Sequence, residues 1–122
     1  MKDHKNNETS FDLAKKLLGR EVQVTIDRPL GTKHPKYGFL YEVNYGYTEG
    51  IIAPDGDYLD AYFLGIKKAV SLGSGVCIAI AHRRDNDDDK LIVTPKDVVL
   101  SDNDIMSLIY FQEKWFKTEI IR

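Results

Sequence analysis

Three carboxylates fall within six residues in Asp55-Gly56-Asp57-Tyr58-Leu59-Asp60, a short way after Asn44-Tyr45-Gly46-Tyr47. Carboxylates this close repel one another unless a cation or water offsets the charge, and hard divalent ions such as Mg²⁺ take oxygen ligands. In a strand, Asp55 and Asp57 share a face by the period of two, and Asp60 begins the opposite register. Convergence of all three requires a bend near Gly56 or Tyr58, for which Pro54 and Gly56 supply the means. Pro-Asp-Gly-Asp is also good turn chemistry with no ligand at all. On spacing alone, a cation site and a solvated acidic turn both stand open.

A second cluster, Arg83-Arg84-Asp85-Asn86-Asp87-Asp88-Asp89-Lys90, lies between two apolar runs and so belongs to a hairpin loop or to two strand ends. Alone it reads as a hydrated turn. Beside the first cluster it offers what two-metal hydrolysis needs, carboxylates from separate strands meeting on neighbouring ions. Neither cluster has the spaced ligands, central Gly and terminal Glu of an EF-hand. Arg28, Lys33 and Lys36 precede the aromatic segment, and Lys90 and Lys117 follow later. Each is ordinary surface charge taken singly; beside a metal they suit a phosphate and its leaving group. Tyr45 and Tyr47 are either phenolic donors to a phosphate oxygen or strand residues with wet tips. His34 and His82 have no paired spacing, which argues against zinc.

Short strands must position these groups. Ser10 is placed to cap a helix over 11–18, with Phe11, Ala14, Leu17 and Leu18 as its stripe and Gly19 ending it. Glu21 to Ile26 alternates as a strand, and a Pro, Gly and Lys-rich loop follows from Arg28 to Lys36. Tyr37 to Tyr47 reads as extended, with Gly46 permitting a sharp local path. Leu59 to Ile66, Val76 to Ala81 and Leu91 to Thr94 read as further strands. A closing helix is expected over 102–117, with Ile105, Leu108, Ile109, Gln112, Trp115 and Phe116 on one face. Ser101 and Asp104 fit a capping box with Asp in place of Glu. Strands followed by one helix favour a small β-barrel with that helix packed on it.

The 122 residues suit one domain, 1–122, with residues 1–8 polar and frayed. A net charge of −2 and the lack of a basic, aromatic-interleaved strip argue against nucleic acid, so an anionic substrate needs a local basic pocket or a metal. The lone Cys77 sits in an apolar run as a small buried hydrophobe. With no signal peptide or membrane span in the sequence, a cytoplasmic location is expected.

Asn44-Tyr45-Gly46-Tyr47 followed by Asp55-Gly56-Asp57-Tyr58-Leu59-Asp60 resembles the soluble family I inorganic pyrophosphatases, whose signature is Asp-x-Asp-Pro-x-Asp shortly after Asn-Tyr-Gly-Tyr. The similarity spans roughly residues 22–117. It implies a mainly β fold with flanking helices (α+β), a five-stranded OB-like barrel with a C-terminal helix and a short N-terminal helix. It also implies hydrolysis of pyrophosphate to two phosphates with Mg²⁺, or Mn²⁺ in its place, and homo-oligomers, which are common in that family. Carried over by motif position, Asp55, Asp57, Asp60, Asp85 and Asp88 would be metal ligands, with Asp87 or Asp89 as substitutes for Asp88. Asp57 would also accept the proton of the attacking water, and Tyr45, Lys90 and Lys117 would contact phosphate. One of Arg28, Lys33 and Lys36 would take the place of the family's arginine. The departures are a missing hairpin before Asn44, Asp27 where a Glu belongs, Tyr58 for the signature Pro, and Phe116-Lys117 for a Tyr-Lys pair. The implied cage is kept while the phosphate grip is reduced, so an alternative is a phosphate- or nucleotide-binding module, without turnover or with another substrate, that retains the metal site.

Overall fold

The computed structural model describes residues 8–122. Five strands close on themselves. β1 (Glu21–Arg28) pairs with β2 (Asn44–Ile52), β2 with β3 (Tyr58–Phe63), and β4 (Leu72–Arg83) with both β5 (Lys90–Thr94) and β1. β3 and β5 complete the ring as its one parallel pair among the described strands, and the other pairings are antiparallel. The result is the expected small OB-like α+β barrel. β4 is long enough for its first half to face β1 while Ile80–Arg83 pairs with a sixth strand, β6 (Thr118–Ile121).

The barrel has a two-sided core. Val24, Ile26, Leu59, Ala61, Phe63, Cys77, Ile80, Leu91 and Val93 pack together with Ala14 of helix α1 (Ser10–Lys15). Tyr62, Ala79, Ala81 and Ile92 belong instead to a cluster with Ile105, Ile109 and Phe111 of helix α2 (Asp102–Glu113). Every residue of β5 is buried, and the strand period divides Leu91 and Val93 from Ile92. Side chains that alternate with the barrel core therefore point to the face that α2 covers.

Three expectations need correction. α1 is capped by Thr9, which shares a capping box with Asp12. Ser10 is buried instead: its amide donates to Asp87 Oδ1 at 2.7 Å and its hydroxyl accepts from the Asp89 amide at 2.8 Å. Residues 1–7 lie outside the described part, while Glu8 pairs with Lys16 at 2.6 Å. The segment before Asn44 is not a strand. Pro35 and Gly38 turn it, and the Lys33–Leu40 bridge folds it into a short hairpin-like loop. α2 has the foreseen Ser101–Asp104 capping box but ends at Glu113. Trp115 and Phe116 then lie in the turn into β6, where Thr118, Ile120 and Ile121 prefer extended backbone.

Candidate functional site

Tyr45 on β2, Asp60 and Tyr62 on β3, Lys90 on β5 and Arg83 on β4 meet at one end of the face that α2 covers. The pleat puts them there: Tyr45 and Tyr62 are register partners, Asp60 lies two residues from Tyr62, and Lys90 lies two from Ile92. Asp88 joins from the loop before β5. Lys90 Nζ lies 2.8 Å from both Asp60 Oδ2 and Asp88 Oδ1. The lysine side chain is 3% exposed and the two carboxylates 32% and 39%, so a buried cation is presented beneath partly open acids. Asp88 is shared with a second cation, Arg83, and Lys114 also lines this region. The Tyr45 ring sits 5.9 Å from the Lys90 ammonium. Burial first, then the charges of Asp60 and Asp88, hold the Tyr45 hydroxyl well above its ordinary pKa, so it remains a donor.

Behind them lies a satisfied ionic network. Arg83 donates to Glu113 through Nε and Nη2 at 2.9 and 2.8 Å, and its Nη1 reaches Asp88 at 3.2 Å. Glu113 also accepts from Tyr62 at 2.6 Å and Thr118 at 2.7 Å, while Gln112 donates to Tyr62. The Phe116 ring lies 3.6 Å from the guanidinium carbon. Burial works against the charge on Arg83, yet bonding to Glu113 prevails and raises its pKa. Arg83, Gln112 and Phe116 join Tyr45, Asp60, Asp88 and Lys90 on a cavity of about 810 Å³, whose walls also carry His34, Tyr37, Phe39, Tyr41, Lys114 and Trp115.

The sequence-derived ligands divide sharply. Asp60 and Asp88 line the cavity; Asp55, Asp57 and Asp85 do not. Asp55 and Asp57 are exposed in the β2–β3 turn, where Asp55 Oδ1 accepts from the Asp57 amide at 3.0 Å and Gly56 has φ of 91°. That is the turn chemistry of Pro-Asp-Gly-Asp. Among the described residues no three His, Cys, Asp or Glu side chains stand together as a metal site. The alternatives to Asp88 have other partners, Asp87 on Ser10 and Asp89 on His82 Nδ1 (2.7 Å) and the Arg83 amide (2.9 Å). Of the proposed phosphate contacts, Tyr45 and Lys90 line the cavity, whereas Arg28, Lys33, Lys36 and Lys117 do not. Lys114 takes the place expected of Lys117 because α2 ends at Glu113. Glu113 and Tyr62 escaped the sequence reading, and Arg83 entered it only as part of the second acidic run. The one sequence signal was an arginine and a glutamate each next to an apolar run.

The Asn44-Tyr45-Gly46-Tyr47 motif is largely architectural. Asn44 is fully buried and holds two loops, accepting from the Leu30 and Val70 amides and donating to the Lys68 carbonyl. Gly46 packs so closely on β1 that a Cβ there would lie 1.8 Å from the Thr25 carbonyl oxygen.

A closed five-stranded barrel with one parallel pair, an added sixth strand and a covering helix defines an OB-like α+β protein. Its architecture is that of the inorganic pyrophosphatases. The Ehrlichia chaffeensis inorganic pyrophosphatase superposes with a TM-score of 0.63 over 93% of this chain and 90% of that one, at 16% identity. The Helicobacter pylori inorganic pyrophosphatase gives 0.59 over 96% and 86%, at 18% identity, and that from Coxiella burnetii 0.55 over 78% and 76%, at 20%. No protein-family model and no curated protein matches the sequence. No helix among the described residues is long and apolar enough to cross a membrane.

Proposed function

We propose that the cavity binds a phosphoanhydride, inorganic pyrophosphate in the simplest case, and hydrolyses it with Mg²⁺. The observation that carries this is the convergence of Asp60, Asp88 and Lys90 in an open cavity of a pyrophosphatase fold. Lys90 and the Tyr45 hydroxyl serve as the cation and donor for phosphate oxygens. Lys90 and Arg83 are already engaged by Asp60, Asp88 and Glu113 and so attract a bare polyanion less than free cations would, which favours a substrate that brings its own cation. The donor set suits such an ion: Mg²⁺ keeps several waters and takes one or two carboxylates plus substrate phosphates, and Asp60 and Asp88 are those two. It does not suit a resident cage that includes Asp55, Asp57 and Asp85. When bound, Mg²⁺ would neutralise charge on the anhydride and acidify a water.

Asp60 is held by one cation and Asp88 by two. Asp60 is therefore the better acceptor for the proton of the attacking water, in place of Asp57 in its exposed turn. Phosphate release from pyrophosphate with Mg²⁺, then Mn²⁺, tests the proposal. Turnover in the parent and release at least about 100-fold slower in Asp60→Asn is expected; parent release no greater than that of Asp60→Asn overturns the hydrolase reading.

A further inference from the structure

The cavity has more aromatic surface than an inorganic anion can use. We propose that its wall of His34, Tyr37, Phe39, Tyr41 and Trp115 seats the planar base of a nucleoside di- or triphosphate, whose phosphates reach Lys90. This rests on the cavity being a phosphoanhydride site and names the class of substrate it takes.

The rings form one path from the mouth to the ammonium. Trp115 lies 5.4 Å from Phe39, and Phe39 lies 4.8 Å from His34. His34 and Tyr41 are 6.0 Å apart and only 15° from parallel, Tyr41 is 5.4 Å from Tyr45, and Tyr45 is 5.9 Å from Lys90 Nζ. A base resting on the outer rings is thus joined by continuous contact to the cation that would hold its phosphates.

Folding accounts for part of this wall and not for the rest. Tyr41 is buried in the α2 cluster, but Tyr37 is 68% and Trp115 57% exposed. Those two keep more than half of their surface in solvent beside the cavity. Lys36 Nζ lies 5.2 Å from the Tyr37 ring and Lys114 Nζ 4.8 Å from the Trp115 ring, cations that suit a nucleotide's phosphates. Aromatic faces of this kind stack bases with little regard to sequence. The loop carrying the wall is also built to hold its rings still. The His34 amide donates to the Phe39 carbonyl, Gly38 donates back to His34, Gly31 donates to the Tyr41 carbonyl, and the Tyr41 amide donates to Thr32 across the same turn. The Lys36 and Tyr37 amides both donate to His34 Nδ1 at 3.1 Å, which fixes that ring. At about 810 Å³ the cavity lies in the range of sites for organic ligands of drug-like size. A diphosphate ion alone fills a small part of it.

Calorimetric titration of the full chain with ADP and with pyrophosphate, each with Mg²⁺, tests this. Trp115, the chain's single tryptophan, adds a fluorescence readout on the wall itself. ADP is expected to bind about ten-fold more tightly than pyrophosphate and to change Trp115 emission. Tyr37→Ala, at a position 68% exposed, is expected to lower the ratio of ADP to pyrophosphate affinity about ten-fold. Trp115→Leu, read by calorimetry, is expected to do the same. Equal affinities in the parent, or a ratio that neither substitution moves, overturn the base-stacking wall and leave the phosphoanhydride site standing. Binding of neither ligand overturns both.

Discussion

Glu113 is the residue whose loss the structure makes most costly outside the hydrophobic core. Its side chain has no solvent exposure and accepts from Arg83 Nε and Nη2, the Tyr62 hydroxyl and the Thr118 hydroxyl. Glu113→Ala leaves a guanidinium that is 4% exposed with Asp88 as its remaining ionic partner among the described residues and the Phe116 ring beside it. Removing one partner of a buried pair costs about 3–5 kcal/mol, because the remaining charge stays desolvated. The surviving Asp88 contact argues for the lower end, about 3 kcal/mol. For a domain of this length that corresponds to a fall in Tm of roughly 12 °C. Urea and thermal unfolding followed by circular dichroism measure it. The double variant Arg83→Met with Glu113→Leu is expected within about 1 kcal/mol of the parent, since it removes both charges and keeps apolar volume. A Glu113→Ala loss below about 1 kcal/mol, or a double variant as unstable as the single, refutes the desolvated pair. The pH dependence has a definite sign. Burial pushes the Glu113 carboxyl up, but Arg83, Tyr62 and Thr118 outweigh it and hold the pKa below the usual range. The unfolded chain therefore takes up the proton first. The contribution of Glu113 is fully present above about pH 4.5 and fades as pH falls through the folded value, so Glu113→Gln should flatten that acid limb.

Gly46→Ala forces a Cβ to within 1.8 Å of the Thr25 carbonyl and should cost more than about 3 kcal/mol; a melting temperature within a few degrees of the parent would show that β1 and β2 yield easily. Asp60→Asn should lower phosphate release at least about 100-fold while Asp57→Asn changes it less than about three-fold, and equal losses would return Asp57 to the site. Lys90→Gln leaves Asp60 and Asp88 facing each other without their ammonium, so it should weaken pyrophosphate binding at least about ten-fold by calorimetry. Asn44→Ala frees the Leu30 and Val70 amides and the Lys68 carbonyl, and faster hydrogen exchange at both amides should report the two loosened loops.

Much of the barrel was legible because period and punctuation agree with tertiary packing there. Val24 and Ile26 alternate into the core, β5 reads as a short continuous apolar run buried on both sides, and Ser101-x-x-Asp104 announces α2. The failures have local causes. Trp115 and Phe116 continue the apolar period of α2, but Thr118 to Ile121 gain more by pairing with Ile80 to Arg83 of β4. The segment from Tyr37 is rich in aromatic residues that favour strands, yet Gly38, with φ of 79°, turns it into a loop against the cavity. The Arg83–Glu113 pair joins residues 30 apart in sequence, and no spacing rule connects them.

The acidic runs show how members of one motif receive different surroundings from the fold. The second run has four aspartates of one chemical type. Asp85 remains in solvent, Asp87 takes the Ser10 amide, Asp88 enters the cavity, and Asp89 takes His82 and the Arg83 amide. In the first run a turn keeps Asp55 and Asp57 outside, while the strand period delivers Asp60 to the face shared with Tyr62. One carboxylate from each run thus reaches Lys90. A lysine at that position is itself the cation that would otherwise have to come from solution, and it is already shared between the two acids. On the proposed reading, a phosphate's own Mg²⁺ would then be part of what is recognised. That reading would tie the affinity of the cavity for a phosphoanhydride to the carboxylates of Asp60 and Asp88 as firmly as to the ammonium between them.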